Sequence, residues 1–385
     1  MKRVYLDHNA TSPMRSEVRA FFLELLEECR GNPSSVHASG RRARAVLDQA
    51  RERVAAALAV HEDEILFTSG GTESNNLALL GSLRQRGRSA GLVTTAGEHS
   101  SVLGAARALE QEGHPVHYSG LDEQGVPRLE EILEHAARAG CELVSVVLAN
   151  NEVGALAPLH DLGPLLAEIP LARRPRLHTD AVQALGKVEL DLQGWQVDLA
   201  SFSAHKLGGP LGTGVLFRRA GVGLEGLVHG GGQESELRPG TENVPAIGAA
   251  ALAIELAAAE RADFAARAHE LLALLWREVR QALPAVSLLG PPLESPARLP
   301  STLNVLVPRV DGRVLVTRLD LAGLEASAGS ACASGSLEPS HVLLAMGLSR
   351  EDARAGLRLS LGRETTREDI HVAVEILRRT LADAT

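Results

Sequence analysis

The chain has 385 residues, 45% hydrophobic and 23% charged, with 39 Lys and Arg against 48 Asp and Glu for a formal net charge of -9. That length exceeds what one hydrophobic core fills, so a large domain plus a smaller one is expected, and the acidic balance argues against nonspecific nucleic-acid binding as the main task. The amino terminus "MKRVYLDHNA" has no apolar signal stretch and no apolar run reaches about 18 residues, so neither export nor a membrane span is expected, and a cytoplasmic location is.

From residue 64 onward, short β-branched runs alternate with longer helical stretches. "EILFTS" leads to "ESNNLALLGSLRQ", "GLVTT" to "SSVLGAARALEQEG" and "ELVSVVLA" to "DLGPLLAEI", followed by "RLHTD", "VDLASFSA" and "GTGVLFRR". This alternation predicts an α/β domain with a mostly parallel central sheet and crossover helices. The pattern changes near residue 245, where "VPAIGAAALAIELAAAERADFAARAHELLALLWREV" reads as one long helix, and shorter strand runs "STLNVLV" and "LRLSL" follow it. A boundary close to residue 255 gives a large domain of residues 13–255 and a small one of residues 1–12 and 256–385, with no low-complexity linker and no internal repeat.

Open parallel sheets bind ligands beyond the carboxyl ends of their strands, which singles out three segments. In "TSGGTESNN", Gly71 and Thr72 open a helix whose exposed backbone N–H groups and positive dipole end suit a phosphate; a plain Gly-Gly turn with a capping hydroxyl is the alternative. In "HTDAVQALGK", Asp180 ends a strand and otherwise reads as a helix cap. In "SFSAHKLGGPLGTG", Lys206 follows His205 at a strand end and precedes apolar and glycine residues, the setting of a desolvated Schiff-base amine rather than of a solvated surface lysine. Together, in that order on one sheet, an anion cradle, a carboxylate and an amine are what pyridoxal 5'-phosphate requires.

The three cysteines are too few and too scattered for a disulfide framework or a zinc site. Cys29 in "LLEEC" and Cys141 in "CELVSVVLA" have apolar company, whereas Cys332 in "SAGSACASGS" sits among glycine, alanine and serine.

The segments "YLDHNATSP", "GNPSSVHASG", "FTSGGTESNNLA", "EHSSV", "NNEVG", "HTDAVQALGK", "SFSAHKLGGPLGTG", "RPGTEN", "SAGSACAS", "SLEPSHVL" and "LRLSLGR", in order from residue 5 to about residue 363, resemble the cysteine desulfurases, pyridoxal-phosphate enzymes of the class V aminotransferase group. The resemblance implies fold type I of the pyridoxal-phosphate enzymes, with a smaller α+β domain that carries the cysteine loop. It implies that Lys206 binds the cofactor aldehyde, Asp180 the ring nitrogen and Gln183 the ring hydroxyl, and that His99 stacks on the ring and transfers protons. Gly71, Thr72, Ser203 and His205 would hold the phosphate, joined by Thr241 from a second subunit of a homodimer. Asn151 and Arg358 would bind the carboxylate of L-cysteine, Arg358 through its planar fork.

Cys332 would attack the sulfur of the substrate, release alanine and carry the sulfur away as a persulfide, so the small residues around it read as a mobile carrier segment that orders little and packs little. The acceptor stays open between iron–sulfur cluster assembly, tRNA thiolation and cofactor biosynthesis, with no direct nucleic-acid or membrane contact expected. The resemblance does not extend to the longer carboxyl-terminal tail on which relatives dock an iron–sulfur scaffold, so recognition of that scaffold is not part of what it implies. The short cysteine segment resembles the subgroup with a long mobile loop rather than the one with a histidine-flanked, ordered cysteine. A selenocysteine lyase, an aminotransferase on the same fold and a non-catalytic sulfur-network scaffold are the other readings; intact Lys206, Asp180, His99 and Cys332 argue against the last.

Overall fold

A computed structural model describes residues 3–329 and 338–382. The first strand, β1 (Val4–Tyr5), belongs to a small sheet, and the next seven form the central one: β2 (Ile65–Thr68), β3 (Gly91–Thr95), β4 (Val116–Ser119), β5 (Cys141–Ser145), β6 (Arg176–Asp180), β7 (Leu199–Ser203) and β8 (Gly214–Arg218). Their order is β2-β8-β7-β6-β5-β3-β4; only β8 runs against its neighbours, so the sheet is mostly parallel. Alternate residues feed opposite faces, as strand geometry requires. Leu66, Leu92, Leu143, Leu199 and Leu216 pack with the helices Gly71–Arg86 and Ser100–Glu112, while Ile65, Phe67, Val93, Val144, Ala200, Phe202, Val215 and Phe217 pack with the helices Ala38–Leu58, Leu159–Ala167 and Val244–Ala259. Burial on both faces explains why these strands read as nearly continuous apolar runs.

A second core joins Val4 and Leu6 to the helices Arg261–Ala282, Gly312–Ala322 and Arg367–Ala382 and to the strands β9 (Ser287–Leu289), β10 (Thr302–Leu306), β11 (Leu324–Glu325) and β12 (Gly356–Ser360). The order β12-β10-β9 is antiparallel, and β1 pairs in parallel with β11. Leu303, Val305, Leu357 and Leu359 face this core; the alternate positions Asn304, Arg358 and Ser360 bond to groups outside it. Asn304 Nδ2 donates to Glu152 O (3.0 Å), Arg358 Nη1 to Asn151 O (3.1 Å), and Ser360 Oγ accepts from Asn9 N (2.9 Å).

The single long helix expected over residues 244–279 is two helices, Val244–Ala259 and Arg261–Ala282. They part at Glu260, whose φ of -86° and ψ of 0° lie at the edge of the right-handed helical region. One carboxylate oxygen of Glu260 accepts from Arg15 Nη1 (2.9 Å) and Arg363 Nε (3.1 Å), so the joint is pinned from two directions that the local pattern does not contain. Four short strands, β1, β4, β9 and β11, were not expected. β4 is a half-exposed edge strand of sequence VHYS, and β1 and β11 have two residues each, too short for any periodicity to register.

Candidate active site

The β2, β7 and β8 register brings Thr68, Gly214 and Ser203 into one row, and the carboxyl ends of β2, β6 and β7 open on the same edge. A cavity of about 210 Å³ lies there. Of the residues named from the sequence, Gly71, Thr72, His99, Asn151, Asp180, Gln183, Ser203, His205, Lys206 and Arg358 line it. Thr241 is exposed and does not line it. Cys332 lies outside the described residues.

Each side chain is held by specific partners. Asp180, the last residue of β6, is 4% exposed; Oδ2 accepts from Asn75 Nδ2 (2.7 Å) and Oδ1 from Val182 N (3.0 Å). Asn75 Nδ2 also donates to Ser101 Oγ (2.8 Å), which lies 2.8 Å from His99 Nδ1. The backbone N–H of Ser101 donates to the same Nδ1 (3.2 Å), so a neutral His99 carries its proton on Nε2. Asp180 and His99 are therefore tied through Asn75 and Ser101. Asn75 lies in "FTSGGTESNNLA" and Ser101 in "EHSSV", but a tether between two separate segments has no local signature.

Lys206 closes a 3₁₀ turn, Ala204–Lys206, directly after β7, and Nζ donates to Asn9 O (2.7 Å) and Ala10 O (2.7 Å). Gln183 Nε2 donates to the same Asn9 carbonyl (2.9 Å). His205 Nδ1 lies 3.1 Å from Thr11 Oγ1, and burial, then the Lys206 charge, lowers its pKa to about 4, leaving a neutral imidazole. Arg358 is fully buried; Nη2 donates to Asp7 Oδ1 (2.7 Å), Nη1 to Asn151 O, and Nε is without a partner among the described residues. A substrate carboxylate would thus meet a guanidinium already anchored from two sides.

These residues fit pyridoxal phosphate. The helix Gly71–Arg86 begins beside Ser203 and His205 in the cavity lining, and the first-turn N–H groups of a helix, which lack intrahelical acceptors, suit an anion. Gly71 approaches so closely that a Cβ there would meet Val182 Cγ2 at 2.7 Å. The Asp180 carboxylate and the Lys206 amine complete the donor set, with Val147, Ala149 and Val182 adding apolar lining.

Glu98, beside His99, is 0% exposed; Oε1 accepts from Val147 N (2.8 Å) and Thr95 Oγ1 (2.8 Å). Burial, opposed by these two hydrogen bonds and aided by the Asp180 charge, pushes its pKa up to about 8. A carboxyl with a raised folded-state pKa contributes stability that is complete below its unfolded value and lost as pH rises through the folded one. Glu98→Gln is therefore expected to match the wild type in urea denaturation at about pH 5 and to exceed it at about pH 9; equal pH dependence in the two proteins would contradict this.

Comparison with known proteins places this geometry. The class V aminotransferase model matches residues 4–372. The chain is 41% identical over 383 residues to a cysteine desulfurase IscS of Dictyoglomus turgidum, covering 98% of this chain and 95% of that one. It is 41% identical over 377 residues to a cysteine desulfurase IscS of Clostridium botulinum, covering 98% and 94%. A solved NifS-like protein superposes with a TM-score of 0.91 at 36% identity, over 99% of this chain and all of the other.

Proposed function

The chain belongs to the class V aminotransferase family, and from that premise we propose that it is a pyridoxal-phosphate-dependent cysteine desulfurase, converting L-cysteine to L-alanine and passing the sulfur on as a persulfide of Cys332. The observation that carries this reading is that Asp180 and Lys206, at the ends of the adjacent parallel strands β6 and β7, line one cavity.

When bound, pyridoxal phosphate supplies an electron sink that acidifies the α-carbon of an attached amino acid. Asp180, held by Asn75 and the Val182 N–H, keeps the ring nitrogen protonated. The helix start at Gly71 and Thr72, with Ser203 and His205, would hold the phosphate, and Gln183 would bond the ring hydroxyl. Lys206 would provide the amine that holds the aldehyde and would also serve as the base for the α-proton. His99 would lie against the cofactor and could move a proton through Nε2, its Nδ1 being occupied by Ser101. Asn151 and Arg358 orient the substrate carboxylate, Arg358 anchored on Asp7. The Cys332 thiolate forms a bond to the substrate sulfur as the carbon–sulfur bond breaks. The carbon keeps that electron pair, is protonated and leaves in alanine.

The chain acts as a homodimer in the cytoplasm, with Thr241 from a second copy completing the phosphate site. It delivers sulfur to an acceptor protein, an iron–sulfur scaffold or a tRNA-thiolating enzyme. Among the described residues no helix is long and apolar enough to cross a membrane. With pyridoxal phosphate, a thiol reductant and L-cysteine, the purified protein is expected to release alanine and sulfide in equal amounts. Consumption of cysteine to a keto acid, without alanine, would overturn the reading in favour of an aminotransferase.

A further inference from the structure

We propose that Lys187, which no assigned role covers, is a positioning residue for this reaction: from outside the cofactor cavity its ammonium turns the Gln183 amide nitrogen inward and sets a second positive charge against Lys206. The proposal rests on the function proposed above.

Lys187 is only 6% exposed, and its Nζ donates to Gln183 Oε1 at 2.6 Å. An ammonium has donors and no acceptor, so the amide oxygen must face it and the NH₂ must face the other way. There it donates to the Asn9 carbonyl (2.9 Å), which also accepts from Lys206 Nζ (2.7 Å). The chain Lys187–Gln183–Asn9–Lys206 thus fixes one amide orientation and links two amines through three hydrogen bonds. Gln183 in the reverse orientation would set an oxygen against a carbonyl oxygen on one side and NH₂ against an ammonium on the other.

Among the described residues no carboxylate pairs with Lys187. A second cavity, of about 70 Å³, borders both lysines; its charged walls are Arg15, Glu260, Arg363 and Glu364, with His8 beside them, and Arg15 and Arg363 are both engaged by Glu260. His8 is itself kept neutral, its pKa lowered to about 4 by burial and then by Lys187. An unpaired buried ammonium is costly, and burial, then Lys206, then Arg358 lower the pKa of Lys187 to about 7. Electrostatic coupling is mutual, so a charge on Lys187 disfavours a proton on the Lys206 nitrogen. That favours the form able to attach an aldehyde or accept a proton.

The test is a pH titration of the visible absorption of the pyridoxal-phosphate holoenzyme, with the cofactor dissociation constant measured alongside. Lys187→Met removes donor and charge: the absorption midpoint is expected to move to higher pH by about one unit, and cofactor affinity to fall several-fold. Lys187→Arg retains both and should stay near the wild-type midpoint. Lys187→Gln keeps an N–H for Gln183 without the charge, and serves if the Met variant does not fold: its midpoint should shift upward with affinity preserved. Wild-type midpoints in folded Met or Gln variants would overturn the proposal. Failure of the wild type itself to bind the cofactor or form alanine would instead overturn the functional reading on which it rests.

Discussion

Lys206→Ala is expected to abolish the visible absorption of the holoenzyme, to let the cofactor leave on dialysis, and to lower alanine formation by at least the 10²–10⁴-fold typical of a lost general base. Its Nζ is placed at the cavity by the turn after β7 and by two backbone carbonyls, Asn9 and Ala10, and among the described residues no other amine lines that cavity. Lys187, the other amine nearby, lies behind Gln183 and is engaged there. Removing Lys206 also deprives two carbonyls of a donor, so a loss of activity alone would not separate chemistry from structure. Lys206→Arg makes the separation: it restores a cation able to reach both carbonyls but cannot attach the aldehyde, and it should recover thermal stability without absorption. A Lys206→Ala protein with wild-type absorption would sink the assignment.

Cys332→Ser is expected to stop alanine formation while leaving cofactor binding intact. The hydroxyl is scarcely ionised near neutral pH and is a poor nucleophile toward sulfur, whereas the cofactor contacts assigned here lie elsewhere, at Asp180, Gln183, His99 and Lys206. Adding L-cysteine should therefore still change the absorption, because Asn151 and Arg358 are untouched, but the change should persist rather than decay. Absorption measured before and after cysteine, with alanine assayed in parallel, checks this; alanine formed at the wild-type rate would contradict it.

The residues that the chemistry needs were legible where a periodic pattern ends abruptly in a polar group. Asp180 and Lys206 follow β-branched or apolar strands, and Gly71 and Thr72 open a helix, so strand-end logic leads to them before any comparison. Arg358 was reached only through resemblance, yet it has a pattern of its own: alternation along β12 turns Leu357 and Leu359 to the core and Arg358 away from it. What stayed hidden depends on contacts between distant segments. The Asn75–Ser101 tether, the Asn9 carbonyl shared by Gln183 and Lys206 and the break at Glu260 each join residues whose relation no window of sequence contains. The cavity joins groups from residue 9 to residue 358, and its closure follows from the two cores meeting, not from any one motif.

If this cavity cleaves the carbon–sulfur bond of cysteine, one particular thiol receives the sulfur. Mass spectrometry after a single exposure of the holoenzyme to L-cysteine, without reductant and with alkylation of the products, tests it most directly. Cys141 is buried, with its thiol pushed up to about 12, and Cys29 is half-buried with its thiol also raised, so neither is disposed to react. One additional sulfur on the peptide bearing Cys332, in proportion to alanine released, is the predicted result. Alanine released in full with the additional sulfur on Cys29 or Cys141, or on no cysteine, would contradict the account.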